Sequence, residues 1–392
     1  MSTSSARSLD RRFVLAAGLL ALLAMVGLAI LAAPARSKAP ASNNVRVMTR
    51  NVYLGADLAP GIAAQNFTQL KDAAGTILNQ VDQNNFPVRA KGLAQEILKK
   101  RPALVGLQEA ALWRTAPCGS PFIPPQATTV RYDFVQLLLN QLNRVNANYR
   151  LVVKQPEFDF ETPANTDHSP DHSCDINARL TMNDAILARD RSNIQTRNAG
   201  AGHFETLLQE PVSGVPVNVT RGWTKTDAKV GGSGWFRFVD THLEAFDNQQ
   251  SNHTNQGTDL GNGQVRLAQA RELFAPGGPT RGQLPAVLVG DLNSDVATAI
   301  KPGDGKADQA LLQNGFRERS TSSPLSCCLN TSVMKAPGGG GQVSDFDHKV
   351  DHIMTNDPGH IGLSSSSVTG RQPVRGYWDS DHAGLFSTLW FH

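Results

Sequence analysis

The chain has 392 residues, of which 40% are hydrophobic and 18% charged, and this composition excludes an intrinsically disordered protein. The net charge is +3, and residues 1–35 contribute +2 of it because they contain three arginines and one aspartate. Residues 36–392 therefore carry about +1, which argues against a protein that binds nucleic acid tightly through many phosphate contacts but is compatible with a transient enzyme–substrate contact.

The first predicted element is an uncharged apolar run over residues 13–33, preceded by the three arginines. A basic start, an apolar stretch and the small-residue exit Ala33-Pro34-Ala35 are typical of a secretory signal. The run is also long enough to span a bilayer as an uncleaved anchor, with its arginines on the cytoplasmic side. We therefore expect residues 1–35 to be a signal peptide or a membrane anchor. Either one places the rest of the chain outside the cytoplasm, secreted or held at the membrane.

A polar linker is predicted at residues 36–44, followed by one domain over residues 45–392. Hydrophobic periodicity and the length of apolar runs indicate its elements. In chain order these are a strand at 45–48, a helix at 90–98, a strand at 103–107, a helix at 135–142, strands at 149–153, 185–188 and 235–241, a helix at 265–274, and strands at 286–289, 350–354 and 385–391. Two polar stretches, 155–177 and 323–342, are predicted to be loops. Strands that recur to the end of the chain favour two packed sheets covered by helices.

Four cysteines are present, Cys118, Cys174, Cys327 and Cys328, and their spacing does not match a zinc site. In an oxidising compartment they could form disulfides, and four cysteines allow three pairings. We favour Cys118–Cys174 because both residues lie in polar, loop-like stretches. Free buried thiols are the alternative.

Polar residues follow or flank several of the predicted strands. Such positions are typical of active sites, because a rigid strand holds the catalytic groups at its end in place. Six such motifs occur in order: Thr49-Arg50-Asn51-Val52-Tyr53, Gln108-Glu109, Asp240-Thr241-His242-Leu243-Glu244, Gly290-Asp291-Leu292-Asn293-Ser294, Val350-Asp351-His352-Ile353 and Ser380-Asp381-His382. A single Ser-Asp-His or Gly-Asp-x-Asn arises easily by chance, whereas six motifs in one order do not.

Together these six motifs resemble the signature of the endonuclease/exonuclease/phosphatase superfamily. That superfamily includes pancreatic-type deoxyribonucleases, abasic-site endonucleases, inositol-polyphosphate phosphatases and bacterial neutral sphingomyelinases. The resemblance spans residues 45–392. It implies an α/β four-layer sandwich, in which two mixed β-sheets pack face to face and are flanked by helices. It also implies an enzyme, a metal-dependent phosphoric ester hydrolase.

The resemblance implies a divalent cation held mainly by Glu109. Asn51 and Asp381 would bind the cation directly or support its ligands. Carboxylate oxygens suit a hard cation, so Mg²⁺ is expected, with Mn²⁺ or Ca²⁺ as alternatives.

The resemblance also implies the catalytic roles. His382 would be the general base that activates water, and Asp351 would orient it. Asp291 and Asn293 would position that water and stabilise the developing charge. His242, with Asn293, would bind a phosphate oxygen of the substrate.

Several alternatives stay open at this stage. The phosphoester substrate could be nucleic acid, a phospholipid headgroup or a phosphomonoester, and Asn51-Val52-Tyr53 is closer to the sphingomyelinase-like branch. A non-catalytic binding protein that retains the fold is a second class, and a zinc hydrolase using His168 and His172 is a third. Pro170 between these histidines disfavours the helix such a zinc site would need. No protein partner is inferred. The remaining histidines are expected to be structural, and scattered basic residues such as Arg50 and Arg375 to be surface charges.

Overall fold

The computed structural model describes residues 43–144, 146–246, 263–299, 303–320, 325–329, 341–357 and 360–392. The predicted signal or anchor lies outside these residues, as do nearly all of the linker and most of the predicted loop at 323–342. Among the described residues, no helix has both the length and the apolar character needed to cross a membrane.

Helices and strands alternate irregularly along the described chain. The helices are α1 Ala59–Ile62, α2 Phe67–Gln83, α3 Phe86–Lys100, α4 Phe134–Arg144, α5 Gln264–Phe274 and α6 Lys306–Gln313, with a 3-10 turn at Val343–Asp345. The strands are β1 Asn44–Asn51, β2 Leu104–Gln108, β3 Leu112–Pro117, β4 Thr129–Asp133, β5 Tyr149–Ala164, β6 Ile176–Arg189, β7 Ile194–His203, β8 Leu208–Val212, β9 Val215–Val219, β10 Gly222–Val230, β11 Trp235–His242, β12 Ala286–Asp291, β13 Arg317–Glu318, β14 Asp351–Thr355, β15 Ile361–Thr369 and β16 Gly384–Phe391.

Most of these strands form two mixed sheets. The larger sheet has eight strands in the order β15-β16-β1-β2-β6-β3-β4, with β5 also paired to β6. The smaller sheet has six, in the order β13-β14-β12-β11-β10-β7, and β8 and β9 form a separate pair.

The sheets pack face to face and helices cover their outer faces. Val287 of β12 shares an apolar cluster with Val47 of β1, which belongs to the other sheet. Its neighbour Leu288 points the opposite way, because successive strand residues alternate, and packs with apolar residues of α5 and α6. On the larger sheet, Leu107 of β2 packs with Leu93 of α3 and with residues of α2 and α4. The predicted four-layer α/β sandwich is therefore confirmed.

The predicted loop at 155–177 is wrong over most of its length. β5 continues to Ala164 and β6 begins at Ile176, so only residues 165–175 connect them. The two strands pair from Tyr149 opposite Arg189 to Ala164 opposite Ile176. One buried charge in this pair has hydrogen-bond partners: Glu161 accepts from two backbone amides and from the side chain of Asn177.

The helix predicted over residues 90–98 is confirmed as α3. Its apolar residues recur on the buried face, at Ala90, Leu93, Ala94 and Ile97. The helix ends at Lys100, and Arg101 follows in the left-handed conformation with φ 50°. Pro102 cannot continue a helix and disfavours helical backbone before it, so the boundary follows from the local sequence.

The favoured cysteine pairing is also found. Cys118 and Cys174 form a disulfide with their Cα atoms 5.8 Å apart. β3 pairs with β6 so that Pro117 lies opposite Ile176, and this register brings the two cysteines together just beyond the strand ends. Cys327 and Cys328 form a second disulfide between adjacent residues.

Strand ends that carry the predicted site meet at one edge of the sandwich. β1 and β2 are parallel, which places Asn51 opposite Gln108. In the other sheet Asp291 lies between His242 on one side and Asp351 on the other. The sheets approach closely beneath this edge, since a Cβ atom at Gly106 would collide with side chains of the facing sheet.

Candidate active site

Asn51 and Glu109 form the part of the site that lies on the larger sheet. The Asn51 Nδ2 group donates to Glu109 Oε1 at 3.0 Å and to Asp291 Oδ2, across the sandwich, at 3.1 Å. Asn51 Oδ1 accepts from the Tyr53 amide, and Glu109 Oε2 accepts from the Leu54 amide, both at 2.9 Å. Glu109 itself has φ 56°, a strained conformation for a non-glycine residue that is common at functional sites.

His382 and Asp351 form a buried pair. The ring Nδ1 of His382 donates to Asp351 Oδ2 at 2.9 Å, and the side chains are 6% and 1% exposed. This bond leaves Nε2 of His382 directed towards Asp291, whose Oδ2 lies 3.7 Å away. Burial lowers the pKa of His382, but the carboxylates of Asp351, Asp291 and Asp381 together raise it well above its usual range.

Asp291 occupies the centre of the site. Burial raises its pKa to about 7, with a further contribution from Asp351, while His382 acts in the opposite direction. The backbone amide of Asn293 donates to Asp291 Oδ1 at 2.9 Å, and Asn293 Nδ2 donates to the Leu243 carbonyl at 3.0 Å. Asn293 also has a positive φ of 47°. Glu109, after β2, and Asn293, after β12, therefore both adopt the left-handed backbone conformation.

His242 faces Asp291 from β11, with its Nε2 atom 3.7 Å from Asp291 Oδ2. Burial lowers the pKa of His242 well below its usual value, and the charges of Arg221 and His382 lower it further, so the ring is neutral. Arg221 lies 3.0 Å from Nδ1 and donates to it. The ring proton of neutral His242 is therefore on Nε2, where it can be donated towards the site.

Asp381 lies at the mouth of the site and is partly exposed. Burial raises its pKa to about 6; His382 opposes this effect and the charge of Glu109 adds to it. Glu109, which contributes to this effect, is itself hydrogen-bonded to Asn51.

This donor set fits a divalent cation. Glu109, Asp381 and Asn51 offer carboxylate and amide oxygens, the ligands that Mg²⁺ and Ca²⁺ take, and a cation would offset the burial and the Glu109 charge that raise the Asp381 pKa. Within the part of the chain that the structure describes, two groups of three possible ligand atoms lie within 4.8 Å of one another: Asp291, Asp351 and His382, and Cys327, Cys328 and His382. In the first group, His382 Nδ1 is already bonded to Asp351 Oδ2.

The sequence interpretation missed Arg221, which no motif includes. Its guanidinium is 6% exposed and pairs with Glu244 at 3.3 Å, besides its bond to His242. Arg221 also lies among two buried carboxylates. Burial raises the pKa of Glu157 to about 10, and nearby Asp184, itself fully buried, raises it further. Only the tertiary packing of β5, β6 and β10 brings these groups together.

The expectation that Arg50 is a surface charge is wrong. Its side chain is 1% exposed and pairs with Glu96 of α3 at 3.1 Å. It also donates to the backbone carbonyls of Asn51 and His382. Arg50 points to the helix-covered face of an inner strand, so it is buried, and it joins the backbone of the predicted cation site to that of the predicted base.

The zinc site considered at His168 and His172 does not form among the described residues. His172 Nδ1 bonds to Asp72 at 2.7 Å and His168 Nε2 contacts Asn79 at 3.2 Å, so both rings pack the 165–175 loop against α2. His352 is structural, as expected. It bonds to Glu318 and to the Ser294 carbonyl on the side away from Asp351.

Comparison with known proteins gives structural similarity alone. No protein-family model matches the chain, and no curated protein matches its sequence. Similar solved structures include an endonuclease/exonuclease/phosphatase from Bacteroides vulgatus, with 15% identity and a TM-score of 0.49 over 89% of this chain and 99% of that one. The catalytic domain of human Nocturnin matches with 15% identity and a TM-score of 0.45, over 89% and 94% of the two chains. A humanized D. rerio TDP2 matches with 14% identity and a TM-score of 0.44, over 89% and 99%. At such identities the chemistry has to be read from the side chains of the site.

Proposed function

We propose that this chain is an exported, metal-dependent phosphoester hydrolase, and specifically a phosphodiesterase that cleaves nucleic acid. One observation carries the proposal. The hydrogen-bonded oxygens of Asn51 and Glu109, which suit a cation, and the buried Asp351–His382 pair flank Asp291 at the same edge of the sandwich, and Asn51 donates to Asp291 at 3.1 Å. Phosphoester hydrolysis needs both of these parts, one to neutralise phosphate charge and one to move a proton.

Glu109, Asp381 and Asn51 would hold the cation. When bound, it would neutralise charge on the phosphate and on the leaving oxygen. The protein contributes a fixed position for it, because Glu109 accepts bonds from both Asn51 and the Leu54 amide. Ligands that are already hydrogen-bonded need little reorganisation when the cation binds.

His382 would take a proton from the attacking water at Nε2. Asp351 keeps the other ring proton on Nδ1, so the tautomer is fixed. The carboxylates around the ring stabilise the imidazolium that forms, which makes His382 a strong base. Asp291 and Asn293 would position the water, since Asp291 Oδ2 lies 3.7 Å from Nε2.

Neutral His242 would donate from Nε2 to a phosphate oxygen, with Arg221 behind it supplying positive potential. Donors that are already aimed at developing charge contribute strongly in a buried site. Asn293 has donor capacity beyond its bond to Leu243 and would bind a second oxygen.

Export is supported by the apolar run at 13–33 and by the disulfide between Cys118 and Cys174. Disulfides persist in oxidising compartments outside the cytoplasm.

A substrate panel would test the function. Single- and double-stranded DNA, RNA, sphingomyelin, phosphatidylcholine, inositol phosphates and bis-p-nitrophenyl phosphate would be incubated with the protein, with Mg²⁺ or with EDTA. We expect Mg²⁺-dependent cleavage of the nucleic acids and of the small diester. Glu109→Gln should abolish it, whereas Glu205→Gln, at an exposed position, should retain it.

Other outcomes of the panel are equally informative. Cleavage of lipid alone would replace nucleic acid with a phospholipid headgroup as the substrate. Full activity in EDTA would overturn the cation site. A folded protein that binds Mg²⁺ and cleaves nothing would favour a binding role.

A further inference from the structure

The Cys327–Cys328 pair lies against the catalytic histidine. Cys327 Sγ is 3.8 Å and Cys328 Sγ is 3.7 Å from His382 Nε2, the ring nitrogen that the proposed reaction uses. Nothing in that reaction calls for sulfur. The proximity therefore needs another explanation.

Backbone hydrogen bonds fix the cysteines in this place. Cys327 forms an isolated bridge with His348. On the other side, Leu329 donates to the Asp381 carbonyl at 2.9 Å and Ala383 donates to the Ser326 carbonyl at 2.7 Å. The cysteine segment is thus held between the start of β14 and the segment that carries His382.

We propose that Cys327, Cys328 and His382 form a binding site for a thiophilic divalent cation such as Zn²⁺ when the disulfide is reduced, and that this site is blocked when the disulfide is formed. A tetrahedral zinc with Zn–S bonds of about 2.3 Å and a Zn–N bond of about 2.0 Å places each sulfur about 3.5 Å from the nitrogen and the two sulfurs about 3.8 Å apart. In the oxidised protein both sulfurs already lie 3.8 and 3.7 Å from the nitrogen, and the S–S bond must break before they can separate around a cation.

The surroundings of His382 also suit a zinc ligand. Zinc-binding histidines commonly donate their second ring nitrogen to a carboxylate, which fixes the tautomer and the ring orientation. Asp351 does this at Nδ1 and leaves Nε2 facing the sulfurs. Cys328 is half-buried whereas Cys327 is buried, so a cation can enter from the side of Cys328.

The redox step balances with an external dithiol. The dithiol transfers two electrons and two protons to the Cys327–Cys328 disulfide, which breaks its S–S bond, and becomes a disulfide itself. Cation binding then releases the thiol protons and any proton on Nε2 to solvent. Two metal–sulfur bonds and one metal–nitrogen bond form, and a water or Asp291 can complete the coordination.

Cation binding at this site would regulate hydrolysis, and this regulatory part of the proposal rests on the proposed hydrolase activity. A cation on Nε2 removes the lone pair that the general base needs. The reduced, zinc-bound protein would therefore be inactive and the oxidised protein active, which would confine hydrolysis to oxidising compartments.

Cobalt is the probe for the binding step, because Co²⁺ bound to thiolate gives a near-ultraviolet charge-transfer band. The full-length chain would be compared in its oxidised state and after reduction by a phosphine. The phosphine is converted to phosphine oxide with an oxygen atom from water. We expect the band only in the reduced protein, at one thiolate-bound Co²⁺ per chain, and its loss on addition of Zn²⁺. Absence of the band in the reduced protein would overturn the proposal.

Cysteine variants locate the site. The double change Cys327→Ser and Cys328→Ser should remove the band, and Cys118→Ser with Cys174→Ser should keep it. Cys328→Ser alone, at the half-buried position, should lower the band to about half, and it serves as the test if the double variant does not fold. A band that persists without Cys327 and Cys328 would contradict the assignment.

The effect of zinc on hydrolysis is measured separately from cation binding. Zn²⁺ should inhibit Mg²⁺-dependent diester hydrolysis by the reduced protein and not by the oxidised protein, and the Cys327→Ser and Cys328→Ser variant should resist it. Equal inhibition of that variant would place zinc at the carboxylate site and overturn the regulatory part. If the protein hydrolyses nothing in either state, the proposed function fails while the cobalt result stands.

Discussion

Replacing Asp351 with asparagine tests the proposed base most directly. The side chain it alters bonds to His382 Nδ1 at 2.9 Å, and both partners are almost fully buried. An asparagine of the same shape keeps the packing and removes the charge. It can also turn its NH₂ group to the ring and so favour the wrong tautomer.

Two effects on the reaction follow from the structure. Asp351 is the largest of the influences that raise the pKa of His382. Its loss lowers that pKa, so the acidic limb of the kcat/KM profile should move to lower pH. The plateau should fall by about 10²–10⁴-fold, the usual contribution of a positioned base, equivalent to about 3–5 kcal/mol in the barrier.

The assay is a pH–rate profile of diester hydrolysis at saturating Mg²⁺, for wild type and variant. Asp357→Asn is the matched control. Asp357 bonds to His360 Nδ1 at 2.9 Å as well, but in an exposed pair with side chains 32% and 70% accessible. That variant should leave both the plateau and the limb unchanged.

Two results would refute the reasoning. A plateau for Asp351→Asn within a few-fold of wild type would mean that the pair does not serve the base. A limb that moves to higher pH would mean that another group titrates in the profile.

Three further predictions concern stability, measured by urea unfolding. Arg221→Gln leaves buried Glu244 without its cation and should cost about 3–5 kcal/mol. The same change at exposed Arg131, also in an ion pair, should cost no more than about 1 kcal/mol. Gly106→Ala forces a methyl group between the two sheets and should cost about 1–3 kcal/mol, whereas Gly200→Ala, next to open space and a flexible lysine, should be nearly neutral. Glu157 has a folded-state pKa of about 10 against 4.5 in the unfolded chain, so it keeps its proton in the folded state and stability falls as pH rises between those values. Glu157→Gln should flatten that fall, and an unchanged slope would contradict the assignment.

The sequence predicted β1, β2 and α3 more fully than the long β5–β6 pair, and it did not predict α2. Short apolar runs such as 103–107 are buried on both faces and stand out by composition alone. β5 alternates polar residues with partly buried ones, and Glu161 is buried only because two amides and Asn177 satisfy it. A charged residue in a strand is recognisable as buried only when its partners, far away in sequence, are known.

By itself, the sequence determined where the polar residues follow strands, because a strand and the motif after it are one continuous segment. Asn51 and Glu109 lie at or just after the end of a strand and His382 lies just before β16, and the resemblance of the motifs implied their roles. Only the tertiary structure decided that Arg50 is buried, that Arg221 supports His242 and that the adjacent cysteines lie on Nε2 of His382. Those contacts join residues that are distant in sequence, and their distances depend on sheet order and register, which local sequence does not encode.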